Sequence, residues 1–158
     1  MVYKYEWKFK QSVDANVVGE EFEKLEKQNG SLTAEAVLES ATPEDSPLHC
    51  MFEWNDPKAA HKHRLDQARF YIRALVKVEI KEEEQPKFYR AYVNINPNPQ
   101  DAGIFENTQK ALSQEETRKI VLDNALKELV SFQKKYSTLY ELSEVFKAID
   151  TVKDLIEE

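Results

Sequence analysis

All three histidines and the only cysteine of this sequence lie between positions 49 and 63. Their side chains are ligands that Zn²⁺ accepts readily, so a metal site is the first chemistry to consider. His61 and His63 fall in a predicted helix, where residues two positions apart point about 160° away from each other. They therefore cannot share one ion, and only one of them could join His49 and Cys50. The spacing predicts no metal site, and we interpret Cys50 as a partly buried structural cysteine.

Catalytic residues are not suggested by any other pattern in the sequence. Adjacent residues in an extended segment face opposite ways, so His49 is badly placed to act as a base for Cys50. With only 3 glycines, the chain has neither a phosphate-binding glycine loop nor a dinucleotide fingerprint, and it has no HExxH or G-x-S-x-G motif. We expect a non-enzymatic protein without a cofactor.

A binding surface is suggested by the basic residues of the central helix. The helix is predicted to begin at Pro57, with Asp56 as its N-cap. At about 100° per residue, four bases fall on a narrow face between a broad apolar arc and a smaller one that includes Phe70. These bases, here called the basic strip, are Lys58, Lys62, Arg69 and Arg73. The strip predicts contact with nucleic-acid phosphates; the alternative is a solvated face that pairs with acids from residues 35 to 56.

The charge distribution bears on both interpretations. The net charge of −7 argues against duplex DNA held by bulk electrostatics. Residues 31–57 contain six acids and no lysine or arginine, whereas residues 58–77 contain six bases and only Asp66 as an acid. Arg64 falls on the inward arc of the central helix, where a charge needs a partner. We expect it to form a structural ion pair with an acid from residues 35 to 56.

The order of predicted elements indicates an α+β fold. Alternation predicts a strand at residues 3–9 with Tyr3, Tyr5, Trp7 and Phe9 on its buried face. Helices are predicted at 15–28, capped by Asp14 and stopped by Gly30, and at 34–41, capped by Thr33. After the central helix, strands at 76–80 and 89–95 form a hairpin, and residues 104–108 form a short further strand. This order predicts a winged-helix-like three-helix core with a small antiparallel sheet over residues 1–110, the hairpin being the wing.

Residues 111–158 are predicted to form a C-terminal helical hairpin. Two S/T-x-x-E capping boxes, Ser113 with Glu116 and Thr138 with Glu141, predict helices over 114–136 and 138–157. One long bent helix is the alternative, because no glycine or proline separates them. Both helices carry wide apolar stripes, which predicts that they pack on the core or form a homodimer through residues 113–158.

Compartment follows from what the sequence lacks. At 158 residues and 41% hydrophobic content the chain can bury a sizeable core. One cysteine cannot form an internal disulfide, and neither a signal peptide nor an apolar run of membrane-spanning length is present. We expect a cytoplasmic protein that does not contact the membrane.

Three stretches, residues 17–41, 46–75 and 125–150, resemble a group of small proteins encoded in bacteriophage and prophage genomes. The segments LTAEAVLE, SPLH, FEW and QAR carry the resemblance. It implies a bacterial host cell and a DNA-related role, and it supplies no catalytic or ligand residues. We therefore expect a non-enzymatic phage or prophage protein that acts in DNA metabolism or regulation through the central helix. The alternative is an acidic protein-interaction or inhibitor module that binds a host or phage protein, with residues 35–56 imitating nucleic-acid charge.

Overall fold

The computed structural model describes residues 2–54, 59–98 and 103–157, and within them it confirms the α+β class. The helices are α1 Ala15–Asn29, α2 Ala34–Ala41, α3 Ala59–Ala74, α4 Thr108–Ser113, α5 Glu115–Lys135 and α6 Ser143–Glu157. The strands are β1 Val2–Trp7, β2 Leu32–Thr33, β3 Leu75–Ile80, β4 Lys87–Arg90, β5 Tyr92–Asn94 and β6 Ile104–Asn107. Short 3-10 helices lie at His49–Met51 and Tyr140–Leu142.

The first sheet has the order β1-β3-β4, and both pairings are antiparallel. The predicted hairpin and the strand beside it are therefore confirmed. The buried face expected for the first strand is only partly right. Tyr5 is buried and Trp7 is half-buried, but Tyr3 and Phe9 are exposed. The reason is that β1 is an edge strand that ends at Trp7, so neither end of the alternating stretch is covered.

The second sheet has the order β2-β6-β5, also antiparallel. It divides the strand predicted at residues 89–95 into two at Ala91. The Ala91 amide donates to the Leu75 carbonyl at 3.1 Å, while the Ala91 carbonyl accepts from the Thr108 amide at 3.0 Å. Ala91 thus faces one sheet with its N–H and the other with its C=O, which sends β4 and β5 into different sheets.

The first two helices begin where the sequence predicts. Asp14 accepts a hydrogen bond from the Asn16 amide, and Gly30 ends α1 with a φ of 78°, a left-handed conformation that glycine adopts without strain. The Thr33 hydroxyl accepts from the Ala36 amide at the start of α2. These helices pack with both sheets and α3 around one core, whose largest fully buried side chains are Val18, Phe22, Leu32, Val37, Leu48, Ile72, Leu75, Val78 and Tyr92.

Helix α3 packs mainly through its broad apolar arc. Ala68 and Ile72 are fully buried, and the helix lies against α2. The predicted start at Pro57, with its Asp56 cap, lies outside the described residues. The smaller arc is only partly covered, because Ala74 is buried whereas Phe70 is 40% exposed.

Both predicted capping boxes are wrong. Ser113 is the last residue of α4, where its hydroxyl donates to the Lys110 carbonyl, and Gln114 is the N-cap of α5 without a side-chain hydrogen bond. Thr138 lies in the turn before the second 3-10 helix, and α6 begins only at Ser143. The prediction of the caps used a local sequence motif, whereas the positions of the neighbouring turns determine where the two helices begin.

The C-terminal segment nevertheless forms two helices rather than one. Phe132 of α5 contacts Phe146 of α6 with ring centroids 6.4 Å apart, and the Gln133 side-chain amide donates to Asp150 at 3.1 Å. These contacts place α6 back along α5 as a hairpin. The predicted boundary between residues 110 and 111 falls inside α4, and the division into two units stays a prediction.

Candidate nucleic-acid interface

Three of the four bases of the basic strip lie on α3, and Lys58 lies outside the described residues. Lys62 and Arg73 are exposed, and neither forms a salt bridge with another described residue. Arg69 is half-buried, and its Nη1 lies 2.9 Å from the Asp66 carboxylate one turn earlier. An exposed pair of this kind contributes little to stability, but it offsets part of the positive charge that Arg69 would offer a phosphate.

The acidic segment does not neutralise the basic strip among the described residues. Glu35, Glu39, Glu44 and Asp45 are all exposed. The salt bridge recorded for this group joins Glu35 to His61 at 3.5 Å, not to a base of the strip. Within the described residues, Glu35, Glu39, Glu44 and Asp45 thus form no salt bridge with Lys62, Arg69 or Arg73.

Two exposed phenylalanines extend the surface of the basic strip. Phe70 lies three positions before Arg73 on α3 and stacks on Phe9, with ring centroids 6.4 Å apart and an interplanar angle of 12°. Phe9 is 56% exposed. The Lys8 amide donates to the Ala74 carbonyl at 2.9 Å, which holds the segment after β1 against the end of α3. We call Phe9 and Phe70 the stacked phenylalanine pair.

Two lysines flank Phe9 in the chain, and one of them contacts its ring. The Lys8 ammonium lies 5.8 Å from the centre of the Phe9 ring, within the range of a cation–π contact. Lys10 follows in the same segment and is exposed. Sequence reasoning missed the pair because it assigned Phe9 to the buried face of a strand and Phe70 to a packed arc. The available signal was the position of Phe9 between two lysines, at the end of an edge strand.

Two half-buried aromatic side chains, Tyr71 and Trp7, pack next to Phe70 of the stacked phenylalanine pair. The Tyr71 ring meets Phe70 edge-on at 5.6 Å and Trp7 edge-on at 6.0 Å. The Tyr71 hydroxyl donates to the Met51 carbonyl at 2.8 Å, and the Trp7 indole donates to the Val13 carbonyl at 2.7 Å. Burial, reinforced by the nearby Cys50 thiol, raises the pKa of Tyr71, so its hydroxyl stays a donor at neutral pH.

Arg64 is held by a carbonyl and a ring rather than by the expected carboxylate. Its Nε donates to the Glu53 carbonyl, and its guanidinium lies 5.2 Å from the centre of the Trp54 ring. The Trp54 ring also stacks on His49, with ring centroids 4.7 Å apart, and the indole N–H donates to the His49 carbonyl. The predicted ion pair is absent from the contacts of the described residues, and Asp56 lies outside them.

The histidines and the cysteine are engaged elsewhere or isolated. His49 Nδ1 lies 2.9 Å from the Ala41 carbonyl, and Cys50 is exposed, so the expectation of a partly buried cysteine is wrong. The part of the chain that the structure describes contains no group of three or more His, Cys, Asp or Glu side chains arranged to hold a metal ion. In the same residues no helix combines the length and the hydropathy that crossing a bilayer requires.

Comparison of the chain with protein-family models, with curated proteins and with solved structures gives no match.

Proposed function

We propose that the protein is a non-enzymatic nucleic-acid-binding protein that binds single-stranded nucleic acid on the outer face of α3. Lys62, Arg69 and Arg73 contact phosphates, and bases stack on Phe9 and Phe70. The observation that carries the proposal is the stacked phenylalanine pair. Its two exposed rings lie beside a helix face whose lysine and arginine side chains form no salt bridge with the acidic segment within the described residues.

Single-stranded nucleic acid fits this surface better than a duplex does. Bases in a duplex already stack on each other, so their faces are not accessible to Phe9 and Phe70. Stacking on an aromatic side chain contributes about 1–3 kcal/mol per base and needs no particular sequence. A short basic surface is sufficient to bind the phosphates of a single nucleic-acid strand. The net charge of −7 opposes binding of a duplex, which carries the phosphates of two strands.

A winged-helix-like core is part of this proposal. Its support is the chain order α1, β2, α2, α3, β5, β6, with β6 between β2 and β5 in the second sheet. The hairpin of β3 and β4 pairs with β1 in the first sheet, so it does not act as the wing. In this proposal the wing is the antiparallel pair of β5 and β6, of which residues 92–98 and 103–107 are described. Its described residues up to Asn98 include no lysine, arginine or histidine, so we assign the contacts with phosphates to α3.

The setting of this activity is a proposal that rests on the sequence resemblance. A phage or prophage protein that binds single strands would act in DNA metabolism or regulation, where duplexes are opened. The proposed binding surface on α3 does not depend on this setting, so the first test is direct binding of nucleic acid.

Fluorescence anisotropy with a labelled oligothymidine and with a labelled duplex at low ionic strength tests the proposal. The wild type is expected to bind the single strand more tightly than the duplex. Phe9→Ala and Phe70→Ala should each weaken single-strand binding at least fivefold, the lower end for removing the stacking of one base. Phe88→Ala is the matched control. Phe88 is 63% exposed and lies on β4, the edge strand of the first sheet that is opposite β1.

The basic strip is tested by charge reversal. Lys62→Glu with Arg73→Glu should abolish binding and lower the slope of log K against log salt by about one for each phosphate that is no longer neutralised. Lys24→Glu with Lys27→Glu changes the net charge equally on the exposed side of α1 and should have a smaller effect. Binding that is absent at low ionic strength, or equal weakening by both double variants, rejects the proposal.

The second candidate function is an acidic protein-interaction or inhibitor module for a host or phage protein. The exposure of Glu35, Glu39, Glu44 and Asp45 favours it, because these carboxylates lie close together in the chain and leave most of their charge to solvent. A protein that imitates nucleic acid would bind a basic partner through them. This candidate predicts no oligonucleotide binding at any salt concentration, which separates it from the first.

A further inference from the structure

Helices α5 and α6 enclose a groove that the proposed nucleic-acid interface does not use. Its volume is about 530 Å³. Leu126 and Val130 of α5 and Ile156 of α6 supply its apolar side chains. Its basic side chains are Lys119, Lys127, Lys134 and Lys153. We call it the lysine-rimmed groove.

The two helices have little cover from the rest of the described chain. No residue of α5 is buried, and Ile149 is the single buried residue of α6. Polar contacts join α5 to the second sheet, since the Asn124 side-chain amide donates to the carbonyls of Asn94 and Asn96. Leu126 and Val130 of α5 and Ile156 of α6 are half-buried, so the fold covers the apolar side chains of the groove only in part.

Charge identifies what fits the groove. Four lysines stand against two carboxylates, Asp123 and Glu157, in a chain whose net charge is −7. Within the described residues none of the four lysines forms a salt bridge; Lys127 donates to the Pro97 carbonyl at 3.2 Å. Apolar side chains between ammonium groups that outnumber the carboxylates are complementary to an apolar stripe flanked by carboxylates.

We propose that the lysine-rimmed groove binds an acidic amphipathic helix of a partner protein. Lys119 and Lys134 are four turns apart on α5, about 22 Å, so a helix of about 15 residues lies along the whole groove. The large aliphatic residues of the partner helix, spaced three and four positions apart, contact Leu126, Val130 and Ile156. Its glutamates or aspartates pair with the lysines on both sides, which fixes its register.

Two other occupants fit less well. A second copy that docked the same face in a two-fold symmetric dimer would bring together two surfaces that each carry more lysines than carboxylates, which opposes association. An anionic bilayer is flat at this scale, so it would meet the lysines but would not reach the apolar side chains between the two helices. A peptide helix satisfies both the charge and the shape.

The test uses the full chain and a synthetic helix as the probe. The peptide has about 16 residues, leucines at helical spacing on one face and glutamates elsewhere, blocked ends and a fluorescent label. The control peptide has the same composition with the leucines distributed around the helix. Saturable binding of the first peptide, at least fivefold tighter than the control, is expected by fluorescence anisotropy.

Charge-reversal variants locate the site. Lys134→Glu with Lys153→Glu should weaken the peptide at least tenfold, whereas Lys135→Glu with Lys147→Glu, on the same two helices but outside the groove, should leave the affinity unchanged. Circular dichroism checks that both variants keep their helices. Equal weakening by the two pairs, or no saturable binding by the wild type, overturns the proposal.

The other occupants give different results. A wild type that is dimeric in sedimentation and becomes monomeric with Lys134→Glu and Lys153→Glu assigns the groove to a second copy and overturns the proposal. Binding to phosphatidylglycerol vesicles that the same variant loses, without peptide binding, assigns it to a membrane and also overturns it. None of these outcomes depends on oligonucleotide binding by α3.

Discussion

The Glu26 carboxylate of α1 accepts a hydrogen bond of 2.7 Å from the main-chain amide of Asn107, 81 positions later in the chain. Asn107 is also the N-cap of α4, where its side chain accepts from the amides of Gln109 and Lys110. Glu26 therefore ties the first helix to the junction between the second sheet and α4. It does so from a buried position, with a side chain that is 7% exposed.

Stability should depend on pH through Glu26. Burial raises the pKa of its carboxyl above the ordinary value of 4.5, although the Asn107 hydrogen bond and Lys110 oppose the rise. A raised acid pKa gives stability that is fully present below the unfolded-state pKa and is lost as the pH rises through the folded-state value. Glu26→Gln, which keeps an acceptor for Asn107 and never ionises, should be more stable than the wild type at pH 7.

Urea unfolding of the wild type and Glu26→Gln between pH 4 and pH 8 measures this difference. The gap should shrink towards pH 4, where the wild-type carboxyl becomes protonated. Glu20→Gln, an exposed substitution on the same helix, should show no such trend. A Glu26→Gln variant that is less stable than the wild type at pH 7 would mean that the charged hydrogen bond outweighs the cost of burial.

Gly19 should not tolerate alanine, although it lies inside α1. Replacing a helical glycine by alanine normally stabilises a protein by about 1 kcal/mol. A Cβ at Gly19 would overlap ring atoms of Tyr5, a buried residue of β1. We expect Gly19→Ala to destabilise the protein by roughly 1–3 kcal/mol.

Thermal or chemical unfolding of a double-mutant cycle isolates this contact. In a Tyr5→Leu background, Gly19→Ala should cost less or become favourable, because the ring that it meets is gone. An equal cost in both backgrounds would place the origin of the effect elsewhere than at Tyr5.

Trp54 should contribute to stability, but less than a fully buried tryptophan. It is half-buried between His49 and Arg64, and its indole N–H donates to the His49 carbonyl at 2.8 Å. We expect Trp54→Ala to cost about 2–3 kcal/mol, at or below the lower end for buried aromatic residues. Trp54→Phe keeps a ring between its neighbours and should lose about 1 kcal/mol for the hydrogen bond. A loss under about 1 kcal/mol for the alanine variant in chemical denaturation would assign Trp54 to the surface.

Residues 1–114 should fold without the C-terminal hairpin. The truncation keeps α4 and its buried Ala111 and removes α5 and α6, which together bury only Ile149. We expect a soluble fragment whose near-ultraviolet circular dichroism retains the signals of Trp7 and Trp54. An insoluble fragment, derived from a full-length protein that is monomeric in sedimentation, would show that the hairpin belongs to the same folding unit.

The sequence by itself determined the elements whose ends are set within a few residues. Asp14, Gly30 and Thr33 place the ends of α1 and α2 because a cap needs only the adjacent backbone amides or a left-handed φ. Alternation also located β1 and β3 to within a few residues, since a period of two marks an extended segment. The same local reasoning failed at Ser113 and Thr138, where competing turns exist within the same few residues.

Only the tertiary structure decided which surfaces remain open. The division of one predicted strand at Ala91 depends on Leu75 and Thr108. The exposure of Phe9 and Phe70 follows from where β1 ends beside α3, and the lysine-rimmed groove exists only because α6 lies back along α5. Periodicity reports that a face is apolar, but whether that face is covered depends on segments distant in the chain. For this reason the sequence located the basic strip, whereas the aromatic pair beside it and the second binding surface required the fold.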